Sequence, residues 1–442
     1  MRVTIHPSRA HGSVTAPPSK SVAHRALIAG AFSGGVLIEN VAYSVDIDAT
    51  LSCLAALGAR VEKGSNGPDG NVAIGGLTLA DIPDGATLDC RESGSTLRFL
   101  IPIAMLSGKT VHFTGSERLM QRPLGIYADL AARNGGVFAL AGQTLTVCGG
   151  LSAGRYEIPG NISSQFITGL LFALALADTP SEILVTGAFE SSSYTDITVR
   201  VLRDFGVPVQ RDDRRFLIPA NSSADGSFAH LCRIHRYTVE GDCSNAAFLE
   251  ALAILAGRTD ASAQADSLEV LGVPADTAQG DRVYCEMLHS LADGTCREFD
   301  LSDCPDLAPC LFAMAAYCGG AHFTGTARLA IKESDRASAC AEELAKFGVA
   351  VTVGENDVTI GGAAIGGSAA NAGSGAENAP APGLHAPTEV LSGHNDHRIV
   401  MAMALLCTVT GGTIDGAEAV AKSYPDFFAV IAAAGIALEW ED

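Results

Sequence analysis

One alternation recurs along the chain: a polar cluster, an apolar run of helical length, a tight turn, then a short β-branched stretch often closed by T-G or N-V. Six copies run HRALIAGAFSGGVLIENV from His24, LRFLIPIAMLSGKTVHFTG from Leu97, ITGLLFALALADTPSEILVTG from Ile167, NAAFLEALAILAGRTDA from Asn245, LAPCLFAMAAYCGGAHFTG from Leu307 and RIVMAMALLCTVTGGTIDG from Arg398. After each comes a second helical stretch that usually ends in Gly before another strand: LAALGARV, LAARNGGVFAL, LRDFGVPV, LHSLADGT, LAKFGVAV and IAAAGIAL. Each copy reads as strand, helix, strand, helix, strand. Such a copy is longer than an ordinary solenoid repeat and predicts a subdomain.

Counting fourteen residues back from the turn residues Gly34, Gly108, Asp178, Gly257, Gly319 and Gly411 reaches Lys20, Gly94, Ser164, Cys243, Pro305 and His397. All six lie in polar clusters: PSKS, ESGS, NISSQ, GDCSN, DCPD and NDHR. Equivalent copies would bring these helix starts to equivalent positions, with free N–H groups and positive dipole ends facing a common region. Helix capping explains the Ser and Asp residues there, but not Lys20, Gln165 or His397. In the first cluster Pro17 and Pro18 end extended structure and Ser19 caps a helix. Ser21 and Arg25 then share a face, with Lys20 beside the first turn, which makes an anion cradle.

The six copies split three and three near residue 238, and the opening RVTIHP is expected to pair with the second half. The low-complexity stretch 361–383 reads as a flexible surface insertion without chemistry. The chain has 442 residues and 48% hydrophobic content, enough for two or three domains. Its apolar runs, such as LLFALALA at 170–177, fall short of a membrane span, which needs roughly 18 residues. No apolar stretch follows Arg2, so no signal peptide is expected and the location implied is cytoplasmic. Twelve cysteines without a C-x-x-C pair read as reduced thiols. A formal charge of −20 argues against nucleic acid or an anionic membrane as partner. An anionic substrate therefore requires a concentrated local cluster of cations.

The motifs PSKSVAHRA, SGSTLR, ERLMQRPLG, NISSQF, SYTDIT, VEGDCSNAAF, QGDR, IKESDR, NDHR and AKSYPDFF follow one another over nearly the whole length. In these the chain resembles the 5-enolpyruvylshikimate-3-phosphate synthase family. The resemblance implies an inside-out α/β barrel of two domains, 18–238 and 1–17 with 239–442, each of three βαβαββ units with helices inside and a site in the cleft between them. It implies a monomer that joins shikimate 3-phosphate to phosphoenolpyruvate without metal or organic cofactor. For shikimate 3-phosphate the matching positions are Lys20, Ser21, Arg25, Ser163, Ser164, Gln165, Ser191, Tyr194, Asp306 and Lys332. For phosphoenolpyruvate they are Lys20, Gly94, Arg122, Gln165, Glu333, Arg336, His397, Arg398 and Lys422. Arginine offers a planar fork to carboxylate and phosphate, and serine hydroxyls at a helix start bind phosphate without bulk. The resemblance makes Glu333 the acid at C3, Asp306 the base, and Lys20 a shared catalytic cation.

Within KESDR, Lys332 and Arg336 are expected four apart on one helical face, with Glu333 beside them. His394 and His397 suggest a metal pair only weakly, since no further ligands accompany them. Glu92 and Arg328 stand where many family members carry Asn; Arg98 is the expected partner of Glu92. The related transferase acting on UDP-N-acetylglucosamine opens with Lys-Asn and uses a loop cysteine. Here the pair is Lys20-Ser21, and PLGIYADL after Arg122 has no Cys. Loss of Lys20, Asp306, Glu333 or Lys422 would mark a binding protein without turnover, and all four are present.

Overall fold

Burying an apolar run on every side requires an interior helix, and the structure supplies six. The computed structural model describes residues 1–64, 70–223, 225–258, 267–361 and 384–441. Helices α1 (Lys20–Ala31), α2 (Gly94–Ser107) and α3 (Ser164–Ala175) belong to one compact unit, and α4 (Cys243–Arg258), α5 (Ala308–Cys318) and α6 (His397–Thr410) to another. In α3 only Gln165 escapes burial, and α6 is buried from His397 through Thr408. Five of these helices begin at the residue the repeat alignment indicates. The sixth, α5, is preceded by a 3-10 turn, Pro305–Leu307, where proline's missing N–H costs nothing. Each of the six second helices is followed by a left-handed glycine: Gly58, Gly135, Gly206, Gly294, Gly348 and Gly435.

The strands repeat one order. Ala86–Asp89 runs parallel to Val111–Thr114, which pairs antiparallel with Thr144–Cys148, itself antiparallel to Val137–Ala141. Parallel neighbours need a crossover, and the buried helix is that crossover. The order recurs in the sheets built on Ser181–Thr186, Val36–Glu39, Ala321–Thr324 and Gly412–Asp415. As expected, the opening strand pairs with the second half: Arg2–Ile5 lies between Gly412–Asp415 and Leu438–Glu441. Gly12–Thr15 runs parallel to Leu268–Leu271.

The first unit comprises Pro18–Glu240 and Asp276–Gln279; the second comprises Met1–Pro17, Gly241–Ala275 and the chain from Gly280 onward. The break after Glu240 falls two residues beyond 238 because Arg236–Thr238 still pairs with Val36–Glu39, and Val239 N donates to Glu39 O at 3.0 Å. The short segment 276–279 has no counterpart in the hydrophobic pattern. It joins the first unit through buried polar groups: Gln279 donates to Glu240 at 2.8 Å and accepts from Ser19 at 3.0 Å, and Thr277 donates to Glu240. Each unit has its own apolar core, one holding Phe99, Phe166 and Phe172, the other Phe312, Phe323 and Met401. All twelve cysteines are free thiols. No described helix is long and apolar enough to cross a membrane. Of the stretch expected to be a flexible insertion, 362–383 lies outside the described residues.

Candidate active site

In the first unit Ser19 caps α1, its hydroxyl accepting from Val22 N at 3.4 Å. Lys20, the first helical residue, is paired with Asp46 at 2.9 Å. One turn on, Arg25 is buried and fully engaged: Nη1 donates to Ser21 O (2.6 Å), Nε to Thr198 (2.8 Å), and Nη2 to Thr168 (3.3 Å) and Tyr194 O (3.0 Å). Its guanidinium stacks over Phe99 at 5.0 Å, and burial pulls its pKa down to about 9. These bonds tie α1 to α3 and to the helix Ser192–Asp204, which carries Tyr194 and begins at Ser191 in a left-handed conformation, φ 53°.

Ser163 caps α3, accepting from Gln165 N at 3.3 Å, and Ser164 begins that helix. The Gln165 amide reaches α2, donating to Ser95 (3.1 Å) and accepting from Arg98 (2.6 Å). Gly94 stands at the start of α2, where a methyl group would lie 2.8 Å from Arg122 Nη1 and 3.6 Å from Gln165 Oε1. Arg122 Nε is buried without a hydrogen-bond partner among the described residues. The starts of α1, α2 and α3 are thus brought together, with Lys20, Ser21, Arg25, Gly94, Arg122 and Gln165 around them. A buried chain also links them: His24 Nδ1 to Thr50 (2.7 Å), Thr50 to Thr96 (2.6 Å), Thr96 to Ser93 (2.7 Å). Burial, then Lys20 and Arg25, hold His24 well below the usual imidazole range, so it is neutral.

In the second unit three cations face three carboxylates. Asp306 receives Lys332 Nζ (3.1 Å), Arg336 Nη1 (2.7 Å) and Arg398 Nη2 (3.4 Å), while its carbonyl accepts Arg398 Nη1 at 2.9 Å. Arg336 also donates to Glu333 (2.7 Å) and Asp396 (2.9 Å). Arg336 and Asp396 are fully buried, a position tolerable only for charges so paired. Desolvation pulls Asp306 upward, but Arg398, Lys332 and Arg336 together hold it well below the ordinary carboxylate range. Asp281 goes the other way: burial, then the charge of Asp306, push it to about 6, although Ser244 donates to it. His397 is buried at the start of α6, its Nδ1 3.8 Å from Asp396. Lys422 ends the 3-10 helix Ala417–Lys422 and donates to Asn395 O at 2.7 Å.

Lys332 and Arg336 do not share a helical face. Asp335 caps the helix Arg336–Lys346, accepting from Ser338 N at 3.2 Å, so Lys332 lies outside it, and their common partner Asp306 brings the two cations together. Arg98 donates to Gln165 and to Pro123 O, and Arg328 to Ser302 O at 2.8 Å. Asp46, Asp396, Asp281 and Ser244 escape sequence reasoning as participants. The last three sit inside motifs already singled out, NDHR, QGDR and GDCSN, so their signal was proximity to named residues. Glu342, Glu343 and His394 place ligand atoms within 4.8 Å of one another. Lys346 Nζ lies at 3.0 and 2.9 Å from the two Glu343 oxygens and fills the cation's place.

Cations gathered near helix starts, on a chain this acidic, with carboxylates set among them, are what an α/β enzyme acting on small anions requires. Residues 5–431 match the sequence model of the family described as EPSP synthase (3-phosphoshikimate 1-carboxyvinyltransferase). The chain belongs to that family, and its activity is enolpyruvyl transfer in the shikimate pathway. The 3-phosphoshikimate 1-carboxyvinyltransferase of Clostridium kluyveri is 36% identical, over 96% of this chain and 95% of that protein. The enzyme of the same name from Clostridium perfringens is 34% identical, over 97% and 96%. In fold the chain is similar to EPSP synthase from Acinetobacter baumannii (TM-score 0.74, 23% identity, all of both chains) and to the enolpyruvyl transferase NikO from Streptomyces tendae (0.72, 17%, 99% and 98%).

Proposed function

We propose that the chain moves the 1-carboxyvinyl group of phosphoenolpyruvate to the 5-hydroxyl of shikimate 3-phosphate, with residues of both units acting on the substrates. The observation that carries this reading is the Asp306 cluster: a half-buried carboxylate gripped by Lys332, Arg336 and Arg398, with Glu333 on the same arginine. Lys20, Ser21, Arg25, Ser163, Ser164, Gln165, Ser191 and Tyr194 hold shikimate 3-phosphate, together with Asp306 and Lys332. Gly94, Arg122, Arg336, His397, Arg398 and Lys422 hold phosphoenolpyruvate, with Lys20 and Gln165 shared. Each unit is then a domain of three βαβαββ repeats around its buried helices, in the inside-out α/β arrangement.

The 5-hydroxyl oxygen bonds to C2 of phosphoenolpyruvate while C3 gains a proton from Glu333. Asp306 accepts the hydroxyl proton. The C2–O bond to phosphate then breaks, phosphate leaves with the proton held by Asp306, and one methyl proton returns to Glu333 to leave the enol ether. With its cations in place Asp306 is a weak base. Substrate anions that engage Arg336, Arg398 and Lys332 draw those charges away, and the basicity of Asp306 rises as the substrates bind. The test is release of inorganic phosphate. It should require both substrates together; release from phosphoenolpyruvate alone, or none with both, would overturn the reading.

A further inference from the structure

Glu343 lies on the helix Arg336–Lys346, outside every motif discussed above, and is fully buried. Its Oε1 lies 2.7 Å from His394 Nε2, which carries the proton against a carboxylate, and its Oε2 accepts from Ser392 N at 2.9 Å. Both oxygens face Lys346, whose ammonium also reaches Val390 O at 3.2 Å. Three donors thus converge from the helix and from the turn that leads into α6. That turn is strained: His394 and Asn395 are successive non-glycine residues in the left-handed region, φ 47° and 52°. On its other side, Asn395 O accepts from Lys422 at 2.7 Å. Asp396 accepts from Arg336 Nε (2.9 Å), Ser334 (3.0 Å) and Arg398 N (3.0 Å).

We propose that Glu343 is a positioning residue for the reaction. Through Ser392 and His394 it holds the 392–396 turn in its left-handed form, and that turn aims Lys422, Arg336 and Arg398 at phosphoenolpyruvate. The inference rests on the assignment of those three cations to phosphoenolpyruvate. It explains why a carboxylate remote from the reacting atoms is buried at the cost of desolvation.

Glu343→Gln keeps the shape and removes the charge that the three donors share. The expected result is a KM for phosphoenolpyruvate raised about tenfold or more, with the KM for shikimate 3-phosphate changed much less. Adding His394→Gly and Asn395→Gly, which adopt the left-handed form without steric cost, should bring the phosphoenolpyruvate KM most of the way back. A purely structural role would lower the melting temperature, move both KM values alike, and resist rescue by glycine; that outcome overturns the proposal. If Glu343→Gln does not fold, His394→Ala breaks the same link from the more exposed side, and an unchanged KM there overturns it equally. Wild-type turnover in the same assay separates the two readings: an active wild type with an unresponsive Glu343→Gln sinks the role of Glu343 alone.

Discussion

Gly94 is the residue at which the smallest change should speak most clearly. A methyl group there sits 2.8 Å from Arg122 Nη1, so the guanidinium must retreat from the anion it is assigned to. Overpacking of this kind costs about 1–3 kcal/mol, roughly 5- to 150-fold in affinity. Glyphosate, which the family resemblance places in the same pocket, is longer than phosphoenolpyruvate and should lose more. Gly94→Ala is expected to raise the glyphosate inhibition constant more than the KM for phosphoenolpyruvate; equal rises in steady-state inhibition would show that Gly94 does not discriminate by size. Glu333 shares Arg336 with Asp306 and Asp396. Glu333→Gln keeps that bond's geometry but removes a transferable proton, so turnover at saturating substrates should fall about 10²-fold or more with binding largely kept. Near-normal turnover would take Glu333 out of the acid role. Asp281 supplies a pH signature. Its carboxyl is raised from 3.8 to about 6 in the folded protein, so between those values the folded state holds a proton the unfolded state has lost, and stability falls as pH rises. Above about 6 the penalty is constant, at most on the order of 3 kcal/mol. Asp281→Asn should therefore gain in melting temperature on the wild type from pH 4 to 6 and hold that gain at higher pH; a pH-independent difference would refute the shift.

The elements that carry these residues are bounded by local chemistry. Ser19, Ser93, Ser163 and Asp396 each cap the buried helix that follows, and the residue next to each cap is Lys20, Gly94, Ser164 or His397. The second helices end on left-handed glycines, and Gly135 isolates the backbone term. Its φ is +69° and nothing lies within 4 Å of where a Cβ would stand. Gly135→Ala thus meets no clash and should cost only the left-handed penalty, about 1–2 kcal/mol, read as a lower urea midpoint with unchanged slope. Gly135→Asn should cost less, because asparagine tolerates that conformation. A neutral alanine variant would mean that the helix end relaxes to a right-handed turn.

For the whole molecule, the decisive feature is that the residues assigned to each substrate divide between two units with separate cores. Lys20, Arg25, Gly94 and Gln165 lie in one, Asp306, Glu333, Arg336 and Lys422 in the other. Substrates that need both sets should draw the units together, excluding water and strengthening each charge contact. Small-angle scattering is expected to give a smaller radius of gyration with saturating shikimate 3-phosphate. An unchanged radius with ligand demonstrably bound would count against closure.

Much of this protein was legible in the order of its residues. Six apolar runs without a polar face, each preceded by a polar cluster and followed at fixed distance by a turn, suffice to place the buried helices and five of their six first residues. Helix starts and stops depend on groups within a turn of one another, and such groups are adjacent in sequence. The partners of the buried charges were not legible. Lys20 meets Asp46, Arg336 meets Asp396 from 60 residues away, and Lys332 joins Arg336 through Asp306 instead of through a shared helix. The segment 276–279 was equally hidden, since its attachment to Glu240 and Ser19 uses ordinary polar side chains. A buried charge requires a partner, but any carboxylate in reach satisfies the requirement. The sequence therefore determined that these cations would need counter-charges, and only the packing of distant segments decided which ones they have.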